Sequence, residues 1–362
     1  CDFNSHEKND SFDENAYVKA LLTDLDNEYK NCQQRSLVSI FFGGGTPSLF
    51  SADAIRKIID HARRLFGFSD IEITLEANPG TFEQEKFDAF REAGVNRLSI
   101  GIQSFNEAHL KSLGRVHDEK QALSAIETAR AAGFENINLD LMFGLPQQTI
   151  QQAIEDVTIA SEFNVPHISH YQLTIEANTY FFKHTPVLPD SDLIWEMQSQ
   201  CQNVLASNQY GQYEISAYSK KNRECAHNLN YWHFGDYIGI GAGAHGKLTD
   251  VNDSAKFKIR RRWKHRQPQK YIEQTFSGKA VSGKQELKQA DIVFEFLLNA
   301  LRLKTGSDIE TFINNTGLGF DVLNKAVRDI DDSLLFIDKN KIRTTDQGFL
   351  FLNTILEELL EE

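Results

Sequence analysis

Polar side chains that could bind a charged small molecule follow or interrupt several apolar stretches of this sequence. Three glycines at positions 43–45 come directly after the apolar segment Leu37–Phe42. Glycine lets the backbone turn sharply and offer its N–H groups to a ligand. Glu76 and Gln103 follow later apolar stretches, and Asp140 lies inside another. Carboxylates and amides accept hydrogen bonds from ammonium and hydroxyl groups, so these residues predict a small-molecule site.

Simpler interpretations stay open for the same residues. The glycines could form a tight turn without a ligand, and Asp140 could be a hydrogen-bonded structural carboxylate. Two common phosphate patterns are absent from the turn. No lysine follows to complete GxxxxGK[ST], and Ser48 stands where GxGxxG requires its third glycine. Triphosphate and dinucleotide sites are therefore disfavoured at this turn.

Strands that alternate with helices are predicted over the first 210 residues. The predicted strands are 37–42, 71–75, 97–102, 137–142 and 167–173. The predicted helices are 13–28, 52–66, 83–93, 119–132, 150–163 and 188–207. This alternation is typical of an α/β fold with a parallel sheet. The carboxyl ends of such strands meet at one edge, where the polar residues above are expected to gather.

The remainder of the chain has a different pattern. We predict one strand at 212–218 and a solvated basic hairpin or loop at 256–266, which could alternatively bind an acidic partner. Beyond residue 284 the predicted helices are 290–301, 309–314 and 320–329, followed by a hairpin of 334–337 with 341–344 and a helix at 346–360. This order resembles a winged-helix module.

Composition narrows the class of function. The 362 residues carry 38 basic and 51 acidic side chains, a formal net charge of −13, which argues against non-specific nucleic-acid binding. No apolar run is long enough to span a membrane and no signal peptide is evident, so a cytoplasmic protein is expected. The four cysteines, Cys1, Cys32, Cys201 and Cys225, are too widely spaced for a disulfide framework or a CxxC metal motif.

Seven motifs occur together and in an order that resembles one protein family. They are GGGTPS at 43–48, LEANP at 75–79, IGIQSFN at 100–106, LGRVHD at 113–118, DLMFGLPQQT at 140–149, HNLNYW at 227–232 and GIGAGAHG at 239–246. The set is similar to the coproporphyrinogen-oxidase-like branch of radical S-adenosylmethionine (SAM) proteins, across essentially the whole chain. The resemblance implies a partial (β/α) barrel with a smaller C-terminal, helical, winged-helix-like domain. The implied divisions are 1–210 for the barrel, 211–283 for a sheet extension and 284–362 for the C-terminal domain.

The resemblance also implies a [4Fe–4S] cluster. Members carry CxxxCxxC near the N-terminus, followed in this branch by Asp-Phe, and Cys1-Asp2-Phe3 is similar to the end of that motif. Cys1 would be the third cluster ligand, with the first two expected upstream. Three thiolates leave one iron open for SAM. Without the family, Cys1 would be interpreted as a free terminal thiol.

The family's cofactor-binding residues match positions of this chain one by one. Gly44, Gly45 and Thr46 match the groups that meet the methionyl amino end of SAM. Glu76 matches a carboxylate that accepts from the cofactor, and Asp140 matches the ribose contact. Gln103 matches a polar contact, and Arg115 matches one suited to a carboxylate. All except Arg115 were also indicated by the strand-end pattern.

Two features favour the heme chaperones of this branch over its oxidases. The oxygen-independent coproporphyrinogen III oxidases resemble CxxxCxxCxC, and Phe3 stands where their fourth cysteine would be. The chaperones carry HNxxYW, which His227, Asn228, Tyr231 and Trp232 match. Imidazole can ligate heme iron and aromatic rings can cover the macrocycle, so His227 is the leading candidate heme ligand. Cys225 is a weaker candidate, and a packed core histidine remains the alternative for His227.

The resemblance thus implies a chaperone that binds heme, a [4Fe–4S] cluster and SAM. It would pass heme to respiratory proteins, as a cytoplasmic protein that can meet the inner membrane peripherally. The alternative is porphyrinogen oxidation in porphyrin biosynthesis, so enzymatic activity stays open. The oligomeric state, the heme recipient and the cleavage of SAM are not specified by the sequence.

Overall fold

The computed structural model describes residues 13–32, 35–80, 84–177, 179–251 and 257–360. The helices are α1 Glu14–Tyr29, α2 Ala52–Phe66, α3 Gln84–Glu92, α4 Glu107–Ser112, α5 Glu119–Ala131, α6 Ile150–Glu162, α7 Tyr180–Lys183, α8 Ser191–Ser207, α9 Ala226–Trp232, α10 Pro268–Phe276, α11 Gln289–Ala300, α12 Ile309–Thr316, α13 Phe320–Ala326, α14 Asp346–Leu350 and α15 Leu352–Glu358. The strands are β1 Ser39–Phe42, β2 Glu72–Ala77, β3 Arg97–Gln103, β4 Asn136–Phe143, β5 His167–Gln172, β6 Gly211–Glu214, β7 Ala217–Ser219, β8 His245–Val251, β9 Phe257–Lys264, β10 Val281–Glu286, β11 Ser307–Asp308, β12 Leu335–Ile337 and β13 Lys341–Thr344.

A seven-stranded sheet, in the order β1-β2-β3-β4-β5-β7-β6, curls into a half-barrel. Its first five strands are parallel, and β7 and β6 continue it antiparallel. The α/β fold with a partial barrel is therefore confirmed. Apolar residues of the outer face, such as Leu98 and Leu139, pack against the surrounding helices and are fully buried. The inner face is left free to carry polar groups.

Local sequence signals set the helices next to the sheet. Ser51 caps α2 by accepting a hydrogen bond from the Ala54 N–H. Asp118 and Thr149 form capping boxes at the starts of α5 and α6. These caps fix where each helix leaves the strand that precedes it, so they also fix the loops at the carboxyl edge.

The single strand predicted at 212–218 is wrong. The segment forms β6 and β7, which pair antiparallel with a register shift between Gln212 and Glu214. Glu214 is buried and accepts a hydrogen bond of 3.0 Å from the guanidinium group of Arg302, which holds the turn against the C-terminal region. The predicted last helix is likewise two helices, α14 and α15, which meet at Phe351.

The basic segment belongs to a hairpin, one of the predicted alternatives, because it pairs antiparallel with β8, but several of its side chains are buried or half-buried. It forms β9, the central strand of the three-stranded sheet β10-β9-β8. Its cations pair within the chain: Arg261 with Glu295, and Lys264 with both Asp24 and Glu28 of α1. Lys264 is only 2% exposed, so its charge requires these two carboxylates. A dock for an acidic partner would have to compete with these internal ion pairs.

The remaining strands β11, β13 and β12 form a second three-stranded sheet beside α11–α13 and α15. Its β12–β13 hairpin pairs as predicted. Among the helices of the described ranges, none is both long and apolar enough to cross a membrane.

Candidate functional site

The triglycine turn lies at the carboxyl end of β1 and faces the end of β2. Gly44 and Gly45 both adopt left-handed backbone conformations, with φ of +80° and +64°. A Cβ atom at either position would meet no described heavy atom within 4 Å, so the turn borders open space. The Gly44 N–H donates to the Glu76 carboxylate over 3.2 Å. The turn therefore offers backbone groups and one carboxylate to the same space.

Glu76 carries an unusual protonation equilibrium for an acidic side chain. Burial and the negative charge of Asp140 raise its pKa to about 7, against the opposing effect of the Gly44 N–H. Within the described residues no lysine or arginine forms an ion pair with Glu76. A carboxyl group held this way favours a cationic ligand, because a positive charge would relieve the repulsion from Asp140.

Asp140 is held by a network of neutral donors on the inner face of the sheet. Its two carboxylate oxygens accept from the Ser99 hydroxyl at 2.9 Å and from the Asn138 amide at 2.8 Å. Burial raises its pKa, although these hydrogen bonds and that of Ser169 favour the ionised form. These hydrogen bonds fix the orientation of the Asp140 carboxylate, and the side chain remains partly accessible to solvent.

Gln103 ends β3 in a left-handed conformation, with φ of +68°, that residues other than glycine rarely adopt. The strain accompanies a register shift between Ile100 and Gln103 in the pairing of β3 with β4. The buried Gln103 side chain accepts a hydrogen bond of 2.8 Å from the Tyr171 hydroxyl. At the neighbouring strand ends, the Asn78 amide donates to Thr46 over 3.5 Å.

A cavity of about 940 Å³ adjoins this edge of the sheet. Arg115, Tyr171, Met142 and Leu173 are among its lining residues. Tyr171 connects the cavity to Gln103, and the charges of Arg115, Asp140 and Glu76 all act on its hydroxyl. Gly44, Gly45, Thr46, Glu76, Gln103, Arg115 and Asp140 therefore lie around one region, which we call the carboxyl-edge cup.

His227 lies elsewhere, on α9, where it contacts Glu72 at the start of β2. Its Nδ1 is 2.7 Å from a Glu72 carboxylate oxygen, and its backbone N–H donates to the same oxygen. Cys225 Sγ lies 3.0 Å from Nδ1, and Phe41 stacks on the ring at 4.4 Å between centroids. His227 is buried, which lowers its pKa despite the Glu72 hydrogen bond. We call Glu72, Cys225 and His227 the amino-edge cluster.

The cup and the cluster occupy opposite ends of one strand. Glu72 begins β2 and Glu76 lies four residues further on, about 13 Å along an extended chain. The three cluster residues bring thiol, imidazole and carboxylate atoms within 4.8 Å of one another, a donor set able to hold a metal ion. Arg97 lies 3.8 Å from Glu72, so a bare dication there would meet a fixed positive charge. A single-nitrogen contact to a porphyrin-bound iron does not require that full donor set.

The sequence analysis missed polar residues that lie between the carboxyl-edge cup and the amino-edge cluster. Their alternation at every second position of a strand could have revealed them. Asn138 shares a face of β4 with Asp140, and His167, Ser169 and Tyr171 alternate along β5. Polar side chains at every second position of otherwise apolar strands indicate a polar inner face. Cys1, the proposed cluster ligand, lies outside the described residues, as does Phe3.

The glycines of the GIGAGAHG segment are explained by contacts within the chain. The Gly241 N–H donates to the Tyr271 hydroxyl over 3.0 Å, and the Ala242 N–H donates to the Tyr17 hydroxyl over 2.9 Å. Gly239 also packs against backbone, because a Cβ atom there would fall 2.0 Å from the His245 carbonyl oxygen.

Comparison with known proteins gives consistent matches. The model of the radical SAM superfamily matches residues 1–158. Heme chaperone HemW of Escherichia coli is 44% identical over 364 aligned positions, which cover all of this chain and 94% of that protein. Heme chaperone HemW of Haemophilus influenzae is 43% identical, and that of Bacillus subtilis 33% identical, each matched over the whole of this chain and over 94% and 95% of its own length.

A solved structure supports the fold. Coproporphyrinogen III oxidase (HemN) from Escherichia coli superimposes with a TM-score of 0.81 over 99% of this chain and 86% of that chain, at 21% identity. At that identity the likeness concerns the fold alone. The curated relatives are similar along nearly their full length, and on that basis the chain belongs to the HemW family within the radical SAM superfamily.

Proposed function

We propose that this protein is a heme chaperone that binds heme, a [4Fe–4S] cluster and SAM and delivers heme to respiratory proteins. The observation that carries the proposal is the full-length similarity to proteins named heme chaperones. The geometry adds a cup suited to a cationic cofactor and a separate imidazole oriented by a carboxylate. The two places correspond to the two kinds of ligand that the function requires.

The residues of the carboxyl-edge cup fit SAM chemically. Gly44 and Gly45 border open space where backbone groups can meet the methionyl end, with Thr46 beside them. Glu76 would accept from the ammonium group, and Asp140 would accept from the ribose hydroxyls. Gln103 is held by Tyr171 for a polar contact, and Arg115 stands at the cavity wall for a carboxylate.

Cys1 would supply one thiolate to the cluster, with two further cysteines expected upstream of it. Bound together, cluster and SAM would supply reductive cleavage of the sulfonium. The protein's own contribution to SAM binding at neutral pH is the Glu76 carboxyl group. Because its pKa is about 7, both its protonated and its ionised forms are populated. A cationic ligand would favour the ionised form and displace that proton.

For heme, we propose His227 as the axial ligand. A histidine that ligates iron usually gives its other ring nitrogen to a carboxylate, which fixes the tautomer and the ring orientation. Glu72 stands in that relation to His227 Nδ1, so Nε2, which lies 3.5 Å from the Cys225 Sγ, would be the ligating atom. Burial keeps the imidazole neutral, the form that binds iron. Phe41 is 39% exposed and covers the ring, so heme would approach past this side chain.

Heme titration tests this assignment. Full-length protein and its His227→Gln variant would be titrated with hemin and followed by Soret absorbance. Glutamine can keep the hydrogen bond to Glu72, so the fold is preserved, but it supplies no imidazole. We expect the variant to lose the wild-type Soret position and to bind heme at least about tenfold more weakly. His61→Gln, on α2 and hydrogen-bonded to Asp26 of α1, is the control. Identical spectra and affinities for wild type and His227→Gln would remove His227 as the ligand.

Transfer and turnover separate a chaperone from an oxidase. Heme-loaded protein would be mixed with apomyoglobin as a neutral heme acceptor, and reconstituted protein would be incubated anaerobically with coproporphyrinogen III and SAM. A chaperone transfers heme and leaves the porphyrinogen unchanged. Conversion of coproporphyrinogen III, without heme transfer, would establish the oxidase instead. Recovery of transferred heme in respiratory proteins of isolated inner membranes would test the proposed recipients and the peripheral membrane encounter.

A further inference from the structure

We propose that a buried chain of hydrogen bonds couples occupancy of the Asp140 cofactor site to the HNLNYW helix α9, so that SAM binding alters heme binding. The proposal rests on the proposed function at both ends. The residues that would carry it are Asn138, His167 and Tyr213, which are distinct from the candidate cofactor and heme ligands.

The chain of hydrogen bonds begins at the carboxyl-edge cup. The Asn138 amide donates to Asp140 over 2.8 Å, and its oxygen lies 2.6 Å from His167 Nδ1. His167 Nε2 lies 2.9 Å from the Tyr213 hydroxyl. Three consecutive polar contacts thus lead from β4 through β5 to β6, on the inner face of the half-barrel.

The chain of hydrogen bonds ends at helix α9. The Cys225 N–H, directly before this helix, donates to the Tyr213 hydroxyl over 3.4 Å. The side chain of Asn228, the second residue of the HNLNYW motif, also hydrogen-bonds Tyr213. Tyr213 therefore contacts the helix that carries His227 and, through His167, the network that holds Asp140.

Every donor in the chain points in one direction. Asn138 uses its N–H₂ group on Asp140, so its oxygen must accept, and His167 must carry its proton on Nδ1. His167 Nε2 must then accept from the Tyr213 hydroxyl, whose oxygen accepts from the Cys225 N–H. Hydrogen bonds aligned in this way polarise one another, and the common end point is the Asp140 carboxylate.

Burial makes the chain sensitive to what happens at either end. His167 is 0% exposed and Asn138 is 2% exposed, so a polar atom that lost its partner would find no water to replace it. Burial, together with the charge of Arg97, keeps the pKa of His167 far below its usual value. The imidazole therefore stays neutral when the hydrogen bonding of Asp140 changes. A change at Asp140 must therefore be met by movement of the partners.

Asp140 provides the two states that coupling requires. An ionised Asp140 accepts from Asn138, whereas a protonated one competes as a donor, and burial places its pKa above the usual range. Binding of a ribose diol and a nearby cation favours the ionised, accepting form. A ligand that distinguishes these states shifts the position of Tyr213, and by thermodynamic reciprocity a ligand on α9 shifts SAM affinity by the same factor.

The test compares heme affinity with and without saturating SAM in full-length, cluster-reconstituted protein. The wild-type ratio of the two dissociation constants should differ from one by about fivefold, within the usual range of coupling between sites. Tyr213→Phe and His167→Phe should bring the ratio to about one. Tyr210→Phe is the matched control, because it removes a buried tyrosine hydroxyl that instead donates to the Val165 carbonyl over 2.7 Å. Its ratio should equal that of wild type.

A second measurement needs no heme. Amide hydrogen exchange of 226–232 should change when SAM binds wild type and Tyr210→Phe, and should not change in Tyr213→Phe. A wild-type ratio of one with both ligands bound, or an unchanged ratio in Tyr213→Phe, would overturn the coupling while leaving the proposed function intact. Absence of SAM or heme binding in wild type would instead reject the proposed function itself.

Discussion

Glu72 and Glu76 are two glutamates on the same face of one strand, and their environments have opposite effects. For Glu72, burial would raise the pKa, but the His227 hydrogen bond, the Arg97 charge and the Ala226 N–H lower it to about 2. For Glu76, burial and Asp140 raise the pKa to about 7. The first carboxylate is fully provided with partners from its own chain, and the second is left in need of a positive charge.

The different environments of Glu72 and Glu76 suit different roles, the first in stability and the second in ligand binding. At the amino edge, Glu72 joins β2 to α9 and neutralises Arg97, so its charge contributes to the folded state. At the carboxyl edge, Glu76 and Asp140 repel each other, which opposes folding until a ligand compensates. Sites that bind ligands commonly retain such uncompensated groups at the expense of stability.

Loss of Glu72 should have the largest effect. Glu72→Ala leaves the buried Arg97 without the carboxylate that faces it, and it leaves the Ala226 and His227 N–H groups at the start of α9 without their acceptor. We expect the free energy of unfolding to fall by about 3–5 kcal/mol, as when one partner of a buried ion pair is removed. Urea denaturation would measure this. Glu127→Ala, at an exposed position of α5, should change it by no more than about 0.5 kcal/mol. A loss in Glu72→Ala no larger than in that control would show that the amino-edge cluster does not hold the fold.

The acid dependence of stability should identify Glu72 directly. Because its pKa falls from 4.5 in the unfolded chain to about 2 in the folded one, its contribution is complete above pH 4.5 and is lost as pH falls towards 2. The stability difference between wild type and Glu72→Gln should therefore shrink by about 2 kcal/mol between pH 5 and pH 3. Parallel stability curves for the two proteins over that range would contradict the assignment.

Glu76→Gln should raise stability, in contrast to the substitutions of Glu72. Its pKa is raised from 4.5 to about 7, so the wild-type carboxyl favours folding below pH 4.5 and that contribution is lost as pH rises through 7. In cofactor-free protein at pH 8, Glu76→Gln should be more stable than wild type by about 1–3 kcal/mol, and equally stable near pH 4.5. Thermal unfolding at the two pH values would show this, with Glu85→Gln at an exposed position of α3 as the control.

The same variant should bind SAM at least about tenfold more weakly in reconstituted protein, because the neutral amide no longer attracts the ammonium group. Greater stability together with weaker binding would sharpen the contrast between the two edges. A Glu76→Gln protein that is less stable than wild type at pH 8 would remove it.

Gly44→Ala should have the smallest effect on stability. Its φ of +80° costs an L-residue about 1 kcal/mol, and no described atom would collide with the new methyl group. Gly67→Ala, at the end of α2 with φ of +68° and similarly open space, should cost about the same. Only Gly44→Ala should weaken SAM binding, as measured by equilibrium dialysis. Equal SAM affinity in both variants would place the cofactor away from the triglycine turn.

Much of the half-barrel was predictable because its signals are local. Helix α2 was predicted with its exact bounds, and β3 was predicted to within one residue at its end. Hydrophobic periodicity and capping act over a few neighbouring residues, so one sequence is enough. The errors fall where tertiary contacts override local preference. Gln212–Tyr218 looks like one strand, but the Glu214–Arg302 pair and the register shift divide it.

The sequence by itself determined the alternation of strands and helices, hence the edge at which Glu76, Gln103 and Asp140 gather, and its ordered motifs indicated the family. Only the tertiary structure decided that His227 lies at the other end of β2, that β9 neutralises its cations internally, and that Asn138, His167 and Tyr213 connect Asp140 to α9. The reason is distance along the chain: hydrogen bonds such as the one between Glu72 and His227 join residues 155 positions apart, and no local pattern specifies such a partner.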